Sequence, residues 1–276
     1  MQRILIPVDF TGCSRAAIDY ALDIYDPDIY SFVLLHAYGS DRTSEFLVSI
    51  DDIIDHDIDR KLAIEKERMQ RKHNKKKVQV EFVREKCELL EAINKVVETK
   101  PISLLVIGSD KGISWNGSSD VGSLKTMTVI KEVSLPVLVV PQKGELRHPK
   151  DFLFATRLKN GMNEQALAPL VSVVKSCKGH LDVVNVESGH LGQDVAKQLL
   201  EETINGFFKG LAVDTYTVKG TEILESIKDF TQGHHSDLVC ILYQDHSFLE
   251  RLLKDSISEQ MVKDLHWPLL ALKHTI

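Results

Sequence analysis

The chain has 276 residues, 43% of them hydrophobic and 27% charged, with a formal net charge of −6. That length suits two domains of about 140 residues, each able to bury its own core. The acidic balance argues against a nucleic-acid partner, and no apolar run approaches the ~20 residues that a membrane span needs.

In chain order, Arg3–Val8 is a short apolar run stopped by Asp9 and Gly12, the pattern of a buried strand. Ser14–Ile24 follows with apolar residues at helical spacing and Ser14 as the expected N-cap. Phe32–Ala37 is the second strand, and Ser49 to about Asn74 is a long charged helix carrying Ile53, Ile54, Ile58, Leu62 and Ile64. Its basic end, Arg71–Lys77, reads as a solvated helix terminus and turn. Val78–Arg84 is a strand, Leu89–Glu98 a helix, Ser103–Ile107 a strand, Ser123–Val133 a helix and Val137–Val140 the last strand of this half.

Gln142–Lys150 holds Gly144 and Pro149 and reads as a linker. The order then repeats. Strands are expected at Phe152–Thr156, His180–Val186, Ala212–Val218, Asp237–Leu242 and Leu269–Leu272. Helices are expected at Asn163–Lys175, Asp194–Phe208, Glu222–Gln232 and Glu250–Leu265. The openings (Ile4–Asp9 and Phe152–Arg157) and the closings (Leu135–Val140 and Trp267–Leu272) are alike, so two related domains, 1–142 and 151–276, are the reading. Strands alternating with helices predict an α/β fold in each: a doubly wound, five-stranded parallel sheet with helices on both faces.

Ligands of an open parallel sheet sit beyond the carboxyl ends of its strands, where the strand order switches. Asp9, Ala37 and Gly108 end three strands of the first half. Gly108–Ser123 contains four glycines and five serines and leads into a helix. Bare backbone N–H groups beside a helix N-terminus suit a phosphate; a plain surface loop has the same composition.

Together these residues resemble the universal stress protein family, twice over in one chain. The resemblance rests on Ile4–Phe10, Ser14 with Ala16-Ala17, Leu34–Ala37, Val106–Ser109 and Leu135–Val140. It implies an adenine nucleotide alpha hydrolase-like fold, pairing through the last strands as an internal pseudo-dimer or a homodimer, and a stress-response regulatory role. ATP-binding members carry Gly-x2-Gly-x9-Gly-Ser/Thr after the fourth strand. Gly108, Gly112, Gly122 and Ser123 match it, with Ser109 beside them; nine residues separate Gly112 from Gly122, but three rather than two separate Gly108 from Gly112. Asp9 matches the aspartate near base and ribose, and Pro7, Val8 and Ala37 the adenine neighbours. The implied ligand is ATP or another adenine nucleotide, with Mg²⁺ accompanying its phosphates. In the second half Arg157 replaces the aspartate and Asp255-Ser256 stands where Gly-Ser would be, so no nucleotide is expected there.

With the first strand expected within three residues of Met1, no signal peptide is expected. Four scattered cysteines show no ligand spacing, so a reducing, cytoplasmic setting is expected. His234-His235 with Asp237 is read as a solvated turn rather than a metal site. Cys13 is read as a small residue beside the candidate site. No nucleophile–base pair stands at readable spacing. A binding module, not a turnover enzyme, is therefore the primary expectation. Its alternatives are a nucleotide-free dimerising scaffold and a slow ATPase.

Overall fold

The computed structural model describes residues 1–38, 48–73, 76–109, 126–142, 146–156, 162–187, 198, 201–202, 204, 206–219, 223–243 and 267–273. The first half runs β1 (Gln2–Pro7), α1 (Gly12–Ile24), β2 (Tyr30–Ala37), α2 (Val48–Lys72), β3 (Val80–Glu85), α3 (Leu89–Thr99), β4 (Ile102–Ser109), α4 (Thr126–Glu132) and β5 (Val137–Pro141). The second runs β6 (Asp151–Thr156), α5 (Glu164–Cys177), β7 (His180–Glu187), β8 (Ala212–Lys219), α6 (Ile223–Gly233), β9 (Leu238–Tyr243) and β10 (Leu269–Lys273). Of the helix expected at Asp194–Phe208, residues 198, 201–202, 204 and 206–207 are helical. The helix expected at Glu250–Leu265 lies outside the described residues.

The ten strands form one sheet in the order β3-β2-β1-β4-β5-β10-β9-β6-β7-β8. Each half keeps the strand order of a doubly wound domain, and within each half every pairing is parallel. The seam is antiparallel: Leu269 pairs with Val139, Leu270 with Leu138 and Ala271 with Val137. The fold is therefore α/β, with a large, mostly parallel sheet flanked by helices.

Alternation along the strands explains the two cores. Ile4, Ile6, Leu104, Val106, Leu138, Phe152, Phe154 and Leu270 face α1, α2 and α5. Leu5, Leu105, Ile107, Val139, Leu153 and Leu269 face α3, α4 and α6. A strand covered on both faces has no polar side, which is why these segments read as unbroken apolar runs. Each core crosses the seam, so neither half closes its core alone.

Side chains add to the seam. The Tyr30 hydroxyl lies 2.7 Å from the Ser172 hydroxyl, and Ser176 donates from Oγ to the Ile24 carbonyl at 3.0 Å. His148 Nδ1 lies 3.0 Å from the Asp23 carbonyl.

On α2, Ile58, Leu62 and Met69 are buried at helical spacing, while Ile64 points outward, 49% exposed. Glu65 completes the buried stripe. It is held there by Arg15 Nε at 2.9 Å and Arg68 Nε at 2.7 Å, since a carboxylate leaves water only when its oxygens are paired.

A core shared across the seam carries a consequence. Leu138→Ala should cost about 2–5 kcal/mol and shift one cooperative urea transition seen alike by tryptophan fluorescence and circular dichroism. Two resolved transitions in the unmodified protein would show instead that the halves unfold separately.

Candidate functional site

β1 lies between β2 and β4, so the strand order changes direction between β1 and β4. A crevice at the carboxyl ends of those strands is the expected ligand position. Six of the residues singled out from sequence gather there. Pro7 and Val8 end β1 in the interior, Asp9 follows at the surface, Ala37 closes β2, and Gly108 and Ser109 close β4. Gly112, Gly122 and Ser123 lie outside the described residues.

The turn after β1 is built around Asp9. Its Oδ1 accepts from the Thr11 backbone N–H at 3.0 Å and from the Thr11 hydroxyl at 2.6 Å. Phe10 between them adopts a positive φ of 64°, a strained conformation for an aromatic residue that this bracket holds in place. Thr11, rather than the expected Ser14, is therefore the N-cap of α1, its hydroxyl accepting from Ser14 N. Ser14 is instead buried inside the first turn and donates to the Thr11 carbonyl at 3.2 Å.

Desolvation works against the charged form of Asp9, but the hydrogen bonds from Thr11, Ser14 and its own backbone together outweigh it and hold the carboxyl below its ordinary value of 3.8. Asp9 is thus an anion and a hydrogen-bond acceptor at neutral pH.

Gly108 has a packing reason of its own. A Cβ there would stand 2.1 Å from the Cys13 carbonyl oxygen and 2.4 Å from its carbon. The missing side chain lets the first turn of α1 rest directly on the end of β4. Nearby, Gln142 N donates to the Ser109 carbonyl at 2.7 Å and Gln142 Oε1 accepts from Cys13 Sγ at 3.3 Å. The end of β4 is thus backed by the first turn of α1 and fastened to the end of β5.

One wall escaped the sequence reading. Phe10 and His36 rings lie 4.9 Å apart, His36 and Tyr38 stack at 6.0 Å, and Lys61 Nζ sits 5.6 Å above Phe10. His36 Nδ1 is 2.6 Å from the Val8 carbonyl, and Tyr38 donates from its hydroxyl to Asp55 Oδ1 at 2.8 Å. Arg84 of β3 reaches Asp55 and Asp59 at 3.3 and 3.4 Å. The only signal was Phe10, His36 and Tyr38 at the ends of two strands, and it becomes a cluster only once those strands are neighbours.

In the second half, Thr156 is buried where the first has Val8. Arg157, 244–248 and Asp255-Ser256 lie outside the described residues. Because the seam is antiparallel, the carboxyl ends of the two halves open on opposite edges of the sheet. His235, 67% exposed, pairs with Asp237 Oδ1 at 2.9 Å. The other Asp237 oxygen accepts from the backbone N–H of Lys150 and of Asp151 at 2.8 and 3.0 Å, fastening the start of β6.

The sequence model of the Universal stress protein family matches residues 1–141. No curated protein matches the chain in sequence. Among solved structures, the chain is similar to a universal stress protein from Archaeoglobus fulgidus, with TM-score 0.74 and 16% identity over 99% of this chain and 98% of that one. A putative universal stress protein from Pseudomonas aeruginosa gives 0.62 at 13%, over 99% and 93%. The cytoplasmic domain of a prokaryotic cation chloride cotransporter gives 0.60 at 12%, over 98% and 95%. At such identities the likeness is one of fold, and it extends through both halves.

Two outcomes test this geometry. Gly108→Ala should lower stability by about 1–3 kcal/mol in thermal or urea unfolding, because the Cys13 backbone must give way. The stability gap between the unmodified protein and Asp9→Asn should be full above the unfolded aspartate pKa of about 3.9 and close as pH falls through the lower folded value. Urea unfolding from pH 7 to pH 2.5 reads that gap directly, and a gap that does not narrow would exclude the charged bracket.

Proposed function

Since this chain belongs to the universal stress protein family, we propose that it is a stress-response binding module whose first half takes ATP or a related adenine nucleotide, and whose second half is a degenerate domain of the same kind. The observation that carries the reading is Asp9. It is held anionic at the β1–β4 switch point, beside Val8, Ala37, Gly108 and Ser109.

Asp9 takes both Thr11 bonds on Oδ1, and its carboxylate would accept the ribose hydroxyls. Pro7, Val8 and Ala37 would border the adenine. The phosphates would lie toward Gly112, Gly122 and Ser123, with Mg²⁺ neutralising part of their charge. Asp9 suits binding better than turnover, because a carboxyl with a depressed pKa is a weak general base.

The second reading is a scaffold without nucleotide, acting through strand pairing. One observation favours it: the first glycine of the loop is already required by α1, and the next stands one residue farther than the nucleotide-binding pattern asks. An ATPase is a further variant of the first reading and would require phosphate release that Asp9→Ala abolishes.

Mass spectrometry of nucleotide released from denatured protein, followed by ATP–Mg²⁺ titration of the emptied chain, tests the proposal. Asp9→Ala should weaken binding about tenfold to a hundredfold, the value of a hydrogen bond to a charged group. Gly122→Asp should weaken it further by placing a like charge against phosphate. An empty protein that ignores millimolar ATP would leave the scaffold reading standing.

A further inference from the structure

The edge of the second half holds a cluster that the nucleotide reading does not use. His180 opens β7, Asp182 lies two residues along it, and Asp214 stands on the edge strand β8 as the register partner of Asp182. All three project toward the face covered by α6, since Leu181 and Val183 between them pack on the opposite face. Their ligand atoms lie within 4.8 Å of one another.

We propose that His180, Asp182 and Asp214 bind a zinc ion at the amino ends of β7 and β8. This inference is independent of nucleotide binding.

Three observations carry it. The first is distance. His180 Nε2 lies 3.2 Å from Asp182 Oδ1 and 3.2 Å from Asp214 Oδ2. The contact with Asp182 is a hydrogen bond at the long end of the usual range of about 2.7–3.2 Å. Tetrahedral zinc bound at about 2.0–2.2 Å holds neighbouring ligand atoms about 3.3–3.6 Å apart, so both spacings lie near a coordination edge.

The second is charge. Two aspartates directly opposite on adjacent strands repel, and Asp182 is buried, only 9% exposed. A divalent cation between the carboxylates removes that repulsion.

The third is rigidity and access. The donors stand on paired strands, which hold them in fixed register. Asp214 is 65% exposed, giving an entry path, and three protein ligands leave a fourth position for water. One imidazole nitrogen and two carboxylates are a donor set that zinc accepts. The neighbouring trio of Asp151, His235 and Asp237 is less suited, since Asp237 already accepts two backbone N–H groups. Bound zinc would also fasten the edge strand β8 to β7.

The experiment is isothermal titration of the chelator-stripped full chain with ZnCl₂, repeated with Co²⁺ to read the visible absorption of a tetrahedral site. The unmodified protein should take up one equivalent that Asp214→Asn and His180→Gln each weaken by more than about a hundredfold, the upper end of what even outer-shell partners cost. Asp214→Asn changes an exposed side chain, so loss of folding cannot mimic the result. His235→Gln should leave binding intact. Absent zinc uptake, or uptake unchanged in Asp214→Asn, overturns the proposal. Uptake lost only in His235→Gln also overturns it and moves the ion to the neighbouring trio.

Discussion

The antiparallel pairing of β5 with β10 is the constraint on which the rest of the molecule depends. A five-stranded parallel sheet has two edges whose N–H and C=O groups need partners. Joining the two inner edges satisfies both rows at once and makes one sheet of ten strands. It also makes both apolar cores continuous, so that Leu138 and Leu270 on one face, and Val139 and Leu269 on the other, are interior residues rather than edge residues. The hydroxyl contacts of Tyr30 with Ser172, and of Ser176 with Ile24, follow from α1 and α5 meeting over that seam.

The same pairing decides where chemistry can occur. Strands that run in opposite senses across the seam place the carboxyl ends of the first half on the same sheet edge as the amino ends of the second. Asp9 with its crevice and the His180–Asp182–Asp214 cluster therefore lie on one edge, far apart in sheet order. The carboxyl ends of β6 and β9 lie on the other. The first half keeps the aspartate and the second replaces it with Arg157.

Within the first half, the crevice is shaped by a turn and a close approach. Thr11 satisfies Asp9 and caps α1 at once, and the positive φ of Phe10 turns the chain sharply enough to start the helix there. Gly108 lets that first turn touch β4. Charge, helix start and strand end are thus locked together, so the anion at the switch point is a product of packing as much as of residue type.

Hydrophobic period is a local property, and it determined by itself the order of the described elements, the burial of the inner strands and the gathering of Asp9, Ala37 and Gly108 at strand ends, while β3 and β8 at the two edges of the sheet stay only part-buried. What tertiary structure alone decided depends on atoms distant in sequence. Ser14 looked like a cap because it is a hydroxyl before an apolar period, yet the bracket from Thr11 to Asp9 moved the start of the helix. Gly108 looked like phosphate-loop chemistry, but only the approach of Cys13 reveals its packing role. Ile64 matched an apolar stripe by composition, and the contact of α2 with α1 gave that stripe to Glu65 instead, because Arg15 and Arg68 were there to pair it. Phe10, His36 and Tyr38, like His180, Asp182 and Asp214, are scattered letters until strand pairing sets their register. No one-dimensional period encodes which strands become neighbours.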